Sequence, residues 1–491
     1  MGYAMRPFSP LAQFARLLLL LLVLAVTIAP LHAAPAPQSL AAVLDHILAG
    51  PALRGGVTGA VVVRVRDGKV LYAHNPDLRL LPASNRKLFT AAAALGILGD
   101  DWTYKTQVLA SAKPDSAGVV HGDVILRGVG DGALTTADMD DLVMQMAKAG
   151  VRRIDGSVIG DASLFTGPQY GFGWEWDDLS DEEFPVISSL EVNSGDIQVH
   201  VVHRFLNVST VVIRTPPVDY PVIDNQAQAL PVGSPNTCVV VRPYGEDTVR
   251  ITGNLPMSAS LDRNVPVANP ALYALNVLNY CLRVYGITTR GLQVSGRDRF
   301  PLPSVVLATH VSLPLAKYLP LMMKPSDNLI AESLVRTVGA AKGTAGTYDA
   351  GHALETPFFQ SLGVDTTSID LVDGCGVGRR NFVTARAVGQ LLVGMSKRPD
   401  FAAYYDALPI AGVDGTLKSR MTKTRAAGNV HAKTGTLSQA RALSGYVTGP
   451  HGGLYAFSLI MNNFPGNARS AGDVQDKFVE RLADTLPPMA H

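Results

Sequence analysis

The sequence predicts a mixed α/β (α+β) fold, with helices and antiparallel strands at both chain ends and mostly β structure between them. Residues 59–74 indicate two strands joined by Asp67-Gly68, a dipeptide that favours a two-residue hairpin turn, and an alanine-rich helical run follows. Residues 102–303 hold many short β-branched runs separated by glycines and prolines. From residue 314 the pattern becomes helical again, and residues 429–464 indicate three neighbouring antiparallel strands.

Composition is that of a globular protein with a large core. The chain has 491 residues, of which 47% are hydrophobic and 17% are charged, and this length suggests about three domains on a prior of roughly 150 residues each. The formal net charge is +1, and it becomes −1 if the first 33 residues are lost with Arg6 and Arg16. Neither charge favours a nucleic-acid partner.

The amino end has the pattern of a secretory signal peptide. Arg6 and Arg16 precede an apolar run over residues 17–29, and small residues follow at Ala33 and Ala34. The run is too short for a membrane-spanning helix, which needs about 20 apolar residues, and an uncleaved anchor is the alternative. Residues 1–33 are therefore predicted to be a signal peptide. No second stretch has spanning length, so the mature chain is expected to be exported and soluble.

The sequence predicts neither a disulfide framework nor a metal site. Cys238, Cys281 and Cys375 allow at most one bridge, and their spacing fits no zinc site. The acidic stretch over residues 177–183 offers no defensible ligand geometry, so we interpret it as a solvated loop. No cofactor is expected.

The segment over residues 81–95, LPASNRKLFTAAAAL, carries the most informative pair of polar residues. Ser84 and Lys87 are three positions apart at the start of the helical run, so both side chains share one face and the amine can reach the hydroxyl. The amino end of the helix would also favour an oxyanion beside Ser84. The alternative is an N-cap serine followed by a solvated lysine.

Two further polar segments lie downstream. Ser326 and Asn328 sit in a break between two predicted helices, after Pro325, where short polar groups can be aimed at one point; a turn or helix cap is the alternative. Lys433-Thr434-Gly435 lies on a predicted strand, where a cation and hydroxyls make a seat for a carboxylate and a glycine admits a substrate backbone. An edge strand protected by lysine is the alternative there.

In order, Ser84-Asn-Arg-Lys87, Ser326-Asp327-Asn328 and Lys433-Thr434-Gly435 match the S-x-x-K, S-D-N and K-T-G motifs of penicillin-binding proteins and class A β-lactamases. The first two serines are 242 positions apart, which leaves room for inserted domains. With segments such as KPSDNLIAESL and LPIAGVDGTLKSRM, the chain resembles the D-alanyl-D-alanine carboxypeptidase/endopeptidase family of low-molecular-mass penicillin-binding proteins, whose members carry two extra domains at that place.

The resemblance implies an architecture. Residues 38–104 and 305–491 would form a penicillin-binding, serine β-lactamase-like transpeptidase domain, with an antiparallel sheet and a helical subdomain. Two inserted, mostly β domains would interrupt it: domain II over residues 105–200 and 285–304, and domain III over residues 201–284.

The resemblance also implies roles for the motif residues. Ser84 would be the nucleophile that forms an acyl-enzyme, and Lys87 would be the general base. The backbone N–H groups of Ser84 and Thr436 would form the oxyanion hole. Ser326 would relay a proton to the leaving amine, and Asn328 would hold the substrate amide.

Substrate contacts follow from the same resemblance. Lys433 and Thr434 would bind the terminal carboxylate, and Gly435 and Thr436 would line the substrate strand. Asp161 matches a family position thought to bind the amino group on the stem peptide.

One segment departs from the family pattern. The family's D-G-S-G-L-S-R appears here as DGCGVGR over residues 373–379, in which Arg379 matches the arginine, a substrate contact, while Cys375 and Gly378 replace two serines. These changes spare the nucleophile but bear on substrate recognition along this loop.

The activity implied is that of a serine D-alanyl-D-alanine carboxypeptidase, and also D,D-endopeptidase, acting on peptidoglycan stem peptides and inhibited covalently by β-lactams. Such an enzyme would work in the periplasm, soluble or loosely associated with the membrane, without cofactor or nucleic acid. Two alternatives stay open. One is a β-lactamase-like hydrolase, against which the long insertion argues; the other is a non-catalytic protein that binds or assembles the cell wall.

Overall fold

The structure is a computed structural model that describes residues 1–2, 39–295, 303–465 and 468–486. The predicted signal peptide, residues 1–33, falls outside the described residues apart from its first two. The chain divides into an amino-terminal unit, residues 1–43, and a compact unit, residues 44–491. The first helix, α1 (Leu40–Leu48), begins in the former, and all that follows concerns the latter.

The main sheet is built from both ends of the chain. Its five strands run in the order β18-β19-β20-β1-β2, and every neighbouring pair is antiparallel. The strands are β1 (Val57–Arg64), β2 (Val70–His74), β18 (His431–Leu437), β19 (Ala440–Thr448) and β20 (Leu454–Asn462). The central strand β20 is buried along almost its whole length because helices cover both faces of the sheet.

A group of helices packs beside this sheet. They are α2 (Arg86–Leu98), α5 (Leu315–Met323), α6 (Asn328–Lys342), α7 (Tyr348–Ser361), α8 (Ala385–Met395), α9 (Phe401–Ala407) and α10 (Ala468–Thr485). Helix α2 is buried over its first ten residues, Arg86 to Leu95, since its four consecutive alanines let neighbouring elements approach closely. It packs against α5, α6 and α7, and the ring of Phe89 meets that of Phe359 edge to face at 5.3 Å. The nucleophile candidate therefore begins a rigid, central helix.

A second sheet of five strands has the order β16-β7-β5-β3-β17. Its strands are β3 (Lys105–Ala110), β5 (Val124–Arg127), β7 (Ser157–Asp161), β16 (Gly291–Val294) and β17 (Val305–Val311). A two-stranded ribbon, β4 (Val119–Val120) with β6 (Arg153–Ile154), lies nearby in sequence. Helices α3 (Thr136–Lys148) and α4 (Pro270–Val284) pack on each other, α3 against β17 and α4 against β7 and β16.

The remaining strands form three small sheets. They are β8 (Asp196–Val202), β9 (Val211–Thr215) and β15 (Leu261–Pro266); β10 (Val222–Asn225), β12 (Val239–Val241) and β13 (Thr248–Thr252); and β11 (Gln228–Leu230) with β14 (Asn254–Pro256). Their buried residues, such as Val199 and Ile251, join those of the second sheet in one hydrophobic core.

The domain bounds stay a prediction, but strand pairing suggests how to refine them. Because β17 pairs with β3, the second sheet extends through Val311, beyond the predicted end at residue 304. Helix α4 packs on the second sheet, where its apolar face meets β7 and β16.

Two sequence-based predictions concern the cysteines and membrane-spanning segments. Cys238, Cys281 and Cys375 are all free thiols. Within the described ranges, no helix combines the length and apolar character that crossing a membrane requires.

Candidate active site

Ser84 and Lys87 meet as their spacing predicts. Ser84 lies in a 3₁₀ turn, Ala83–Asn85, that leads directly into α2, and Lys87 is the second residue of the helix. Lys87 is fully buried, and its Nζ lies 3.0 Å from Ser84 Oγ, 2.6 Å from Asn328 Oδ1 and 3.1 Å from the Cys375 carbonyl oxygen. The amine is thus held by three fixed oxygens, one of which belongs to the half-exposed hydroxyl.

The turn that carries Ser84 is braced from outside the helix. Ala83 has a left-handed φ of 48°, and the carbonyl of Ala83 would lie only 2.0 Å from a Cβ at Gly376, which itself has φ 93°. The side chain of Asn85 donates to the Lys433 carbonyl at 2.8 Å, which ties the turn to β18. Asn85 is a positioning residue that the sequence pattern did not single out.

Arg86 ties the same turn to the helical side of the molecule. Its guanidinium donates to the Asp373 carbonyl at 2.7 Å and to Glu355 at 2.8 Å in a fully buried ion pair. Burial alone would raise the pKa of Glu355, but Arg86 and His352 together hold that pKa below its usual value.

The S-D-N segment enters the cleft through a strained loop. Ser326 has φ 73°, and Asp327 caps α6 by accepting from the Ile330 N–H at 2.8 Å. Asn328, the first residue of α6, presents its Oδ1 to Lys87 and its Nδ2 to Glu183. The cap and the helix therefore fix both ends of the Asn328 amide.

The K-T-G segment lies on β18, the edge strand of the main sheet. Lys433 is fully buried, and its Nζ donates to Ser326 Oγ at 2.9 Å and to the Thr434 carbonyl at 3.0 Å. Burial, and then the charge of Lys87, lower the pKa of Lys433 well below its usual value. A Cβ at Gly435 would lie 2.6 Å from the Pro82 carbonyl. The close packing of β18 against the turn that carries Ser84 therefore requires a glycine at this position.

The hydroxyls of β18 face a neighbouring turn. Thr434 Oγ1 lies 2.7 Å from Oγ1 of Thr416, which belongs to a 3₁₀ turn at Gly415–Leu417. Thr436 is exposed, and its hydroxyl accepts from Arg441 at 2.6 Å. Thr416 was not predicted as a site residue, because no motif in its local sequence indicates that its hydroxyl lines the cleft.

These segments surround one cavity of about 310 Å³. Its wall consists of Ser84, Glu183, Phe184, Pro325, Ser326, Val377, Thr416, Thr434, Thr436 and Leu437. All three motifs thus contribute a hydroxyl to the same cavity. A cleft of this size admits a small peptide end.

Glu183 belongs to the acidic stretch that we interpreted as a solvated loop, and Phe184 follows it directly. Most of that stretch is exposed, but Asn328 Nδ2 donates to the Glu183 carbonyl at 2.6 Å and to its Oε2 at 3.2 Å. The loop therefore forms a wall of the cleft, which sequence could not indicate because the contact spans 145 positions.

The two predicted substrate contacts outside the motifs, Arg379 and Asp161, have different partners. Arg379 Nη1 donates to the Ser438 carbonyl at 3.3 Å, just beyond β18, and its Nε is 3.5 Å from Glu175. Asp161 is buried at the end of β7, where it accepts from the Ser163 N–H at 3.0 Å. Asp161 does not line the catalytic cavity.

The loop over residues 373–379, in which Cys375 and Gly378 replace two serines of the family pattern, is held by buried carboxylates. Asp373 accepts from the N–H groups of Gly376 and Gly378, both at 2.8 Å, while Glu332 accepts from those of Gly374 and Cys375. Because Cys375 reaches Lys87 through its carbonyl, its side chain can change without removing that contact.

Glu332, Asp373 and Cys375 form a group of three potential metal ligands. Burial, and then the charge of Asp373, raise the pKa of Glu332, and burial raises the pKa of the Cys375 thiol. Since backbone N–H groups occupy both oxygens of Asp373 and Oε1 of Glu332, we interpret the group as the brace of this loop.

Comparison with known proteins agrees with this geometry. The profile of the D-Ala-D-Ala carboxypeptidase 3 (S13) family matches residues 40–485. A D-alanyl-D-alanine carboxypeptidase of Actinomadura sp. (strain R39) is 39% identical over 461 residues, which cover 90% of this chain and 84% of that protein. The D-alanyl-D-alanine carboxypeptidase DacB of Haemophilus influenzae is 28% identical over 432 residues, covering 86% and 88%.

Solved structures give the same result. The crystal structure of penicillin binding protein 4 from Haemophilus influenzae superposes with a TM-score of 0.80 at 25% identity, covering 90% of this chain and 99% of that one. A structure of the same protein complexed with a β-lactam has a TM-score of 0.73. The predicted fold class and the predicted family are thereby confirmed. The chain belongs to the D-Ala-D-Ala carboxypeptidase 3 (S13) family of penicillin-binding serine peptidases.

Proposed function

We propose that this chain removes the terminal D-alanine from peptidoglycan stem peptides through an acyl-enzyme on Ser84, and that it also cleaves cross-links made through D-alanine. The observation that carries the proposal is the contact between Lys87 Nζ and Ser84 Oγ at 3.0 Å, at the edge of an open cavity. A base within hydrogen-bond reach of a hydroxyl is the arrangement that activates a serine.

The partners of Lys87 explain how it can act as the base. A neutral amine has two N–H donors and one lone pair. The Asn328 and Cys375 oxygens accept the two donors, at 2.6 and 3.1 Å, which leaves the lone pair directed at the Ser84 hydroxyl. Lys87 can therefore take the proton as Ser84 Oγ bonds to the carbonyl carbon of the penultimate D-alanine.

The tetrahedral intermediate carries a negative charge on the former carbonyl oxygen. The backbone N–H groups of Ser84 and Thr436 are our candidates for its donors, since both residues line the cavity from facing elements. When the intermediate collapses, the C–N bond breaks and the leaving amine must gain a proton. Our candidate for relaying the proton that Lys87 took is Ser326, whose hydroxyl is 2.9 Å from Lys433 Nζ.

The carboxylate of the terminal D-alanine needs a polar seat. The Lys433 amine lies behind Ser326, 2.9 Å from its hydroxyl, and the Thr434 and Thr416 hydroxyls, 2.7 Å apart, supply donors at the cavity wall. Thr416 thus joins the predicted Thr434 in this proposal. Water then hydrolyses the ester and returns the Ser84 hydroxyl.

The stem peptide would extend along the edge of β18. Asn328 would hold a substrate carbonyl with its Nδ2, in exchange for the Glu183 oxygens that now accept from it. Arg379, beside the Ser438 carbonyl, would contact the far end of the peptide. Asp161 is retained as a candidate for the stem amino group, though its carboxylate is turned to the Ser163 N–H.

We further propose that residues 1–33 direct export and that the enzyme works in the periplasm, without cofactor, on the peptides of the cell wall. β-Lactams would acylate Ser84 in place of a peptide.

The decisive experiment incubates the pure protein with a pentapeptide that ends in D-Ala-D-Ala and measures free D-alanine. Release by wild type and its loss in Ser84→Ala are expected. Absence of release from both would favour a non-catalytic wall-binding protein, and equal release from both would show a contaminating enzyme. A cross-linked dimer peptide, assayed in parallel, tests endopeptidase action.

A second assay separates the proposal from a β-lactamase. After incubation with benzylpenicillin, intact mass should show a covalent adduct that persists for many minutes on wild type and is absent from Ser84→Ala. Rapid recovery of unmodified protein with turnover of the drug would contradict a carboxypeptidase assignment.

A further inference from the structure

A second cavity, of about 330 Å³, shares no lining residue with the catalytic one. Its wall is formed by parts of residues 162–169, residues 187–188, Asp247, the start of α4 with the two residues before it, residues 294–295 and one residue of α6, Arg336. Neither the motifs nor the proposed reaction uses this cavity. Its volume falls within the range of small-ligand pockets.

Arg336 brings a buried positive charge to this cavity. It is 1% exposed, and its guanidinium carbon stands 4.3 Å from the centre of the Tyr348 ring and 5.8 Å from that of Phe165. Nη2 donates to the Pro168 carbonyl, but Nε has no hydrogen-bond partner among the described residues. Among the ion pairs of the described ranges, none includes Arg336.

An isolated buried cation is unusual, because buried charges are normally paired. Aromatic rings and one carbonyl offset only part of the desolvation cost. Because Arg336 lines the cavity and forms no ion pair within the described ranges, it points to a missing anionic partner. A carboxylate or phosphate group would complete the bonding of the guanidinium.

Two further features of the wall favour an anion near Arg336. Helix α4 begins at Pro270, with Asn269 as its N-cap, so the positive end of a 15-residue helix opens on the cavity. Ser295 Oγ, another lining group, is buried without a partner among the described residues. Both can interact favourably with an oxyanion.

Asp247 gives the cavity a negative group as well. Its carboxylate accepts from the Tyr220 hydroxyl at 3.2 Å and forms no salt bridge with Arg336. A ligand that carries an N–H group beside its carboxylate would satisfy both groups, whereas a bare phosphate would meet the repulsion of Asp247.

We infer that the Arg336 cavity binds the carboxylate of an amino acid or short peptide, at a site separate from the catalytic cleft. This inference does not depend on the proposed reaction. The site nevertheless lies close to the cleft in structure, since Phe165 and Ile187, which line it, pack on Leu329, the neighbour of Asn328.

The test uses N-acetylglycine, a carboxylate with one N–H, titrated calorimetrically into the full mature protein. Wild type and the control Arg283→Gln, an exposed arginine at the other end of α4, should bind it saturably. Arg336→Gln should bind about tenfold more weakly or worse, since a hydrogen bond to a charged group is lost. Wild-type affinity in Arg336→Gln would overturn the inference, as would no saturable binding to wild type.

Hydrogen exchange of wild type with and without N-acetylglycine gives a readout that needs no variant, in case Arg336→Gln does not fold. Protection should appear at residues 162–169 and 187–188. Protection confined to residues 431–437 would assign the carboxylate to the catalytic cleft and overturn the inference. Protection by inorganic phosphate but not by N-acetylglycine would overturn the carboxylate assignment.

Discussion

The side-chain amide of Asn328 donates to two oxygens of Glu183, the backbone carbonyl at 2.6 Å and Oε2 at 3.2 Å. The other end of the same amide accepts from Lys87. A residue of the inserted part of the chain therefore occupies the group that would hold the substrate amide. Substrate binding must displace this contact or share it.

The first prediction concerns the Glu183 carboxylate. Glu183→Gln removes a negative charge beside the seat proposed for the substrate carboxylate, so the KM for a D-Ala-D-Ala peptide should fall. Because Glu183 is exposed, solvent screens the effect, and we expect about a two- to fivefold change in KM with little change in kcat. Steady-state release of D-alanine measures both constants.

Glu182→Gln is the matched control, because it removes the same charge from the neighbouring exposed residue without a bond to Asn328. Equal changes in KM for the two variants would indicate a general field effect and would contradict a specific role for Glu183.

The family and the carboxypeptidase activity were predicted from the sequence, and both are confirmed. The reason is that each motif lies within a few residues and can be read from the sequence. Ser84 and Lys87 belong to one turn, and Ser326 and Asn328 belong to one loop. That the three motifs converge was implied by the resemblance alone, because residue spacing carries no information on contacts over 240 positions. The roles of the individual residues and the domain bounds stay predictions.

The contacts missed from the sequence depend on tertiary packing. Glu183 belongs to an acidic run whose composition indicates a solvated loop, and only the packing of residues 171–184 against the cleft makes it a wall. Helix α4 shows an apolar face in its sequence, but that pattern predicts burial without naming the partner. The hydrophobic pattern of a helix predicts which of its faces is buried. The element that buries this face is decided by long-range packing.

The second prediction tests Lys87 as the base. Lys87→Met keeps most of the length of the buried side chain and removes its amine, so acylation should slow by about 10²- to 10⁴-fold. The rate of adduct formation with benzylpenicillin, followed by intact mass, measures this step alone. Lys418→Met, at an exposed position, should acylate like wild type. Wild-type acylation by Lys87→Met would assign the base elsewhere.

The third prediction concerns a departure from the family pattern. A Cβ at Gly378 would lie 2.6 Å from the Phe172 carbonyl and 2.9 Å from Asp373 Oδ2, so Gly378→Ser should push the 172–174 segment away. We expect about 1–3 kcal/mol of lost stability, as is typical of overpacking, measured by urea unfolding. The KM should rise more than kcat falls.

Cys375→Ser, the other change toward the family sequence, is the comparison for Gly378→Ser. Its carbonyl still accepts from Lys87, so kcat should stay near that of wild type. If Gly378→Ser proved as stable as wild type, the loop would have room that the structure does not show.

The last prediction concerns pH and Lys433. Burial, and then the charge of Lys87, lower the pKa of this amine in the folded protein, whereas the unfolded chain keeps the usual value near 10.5. Between the two pKa values the unfolded state binds more protons, so Lys433 makes the free energy of unfolding rise with pH over that window. Urea unfolding followed as the pH rises toward about 10.5 should therefore show a steeper rise for wild type than for Lys433→Met. Lys418→Met should match wild type, and equal slopes for wild type and Lys433→Met would mean that the buried amine is not destabilised by its surroundings.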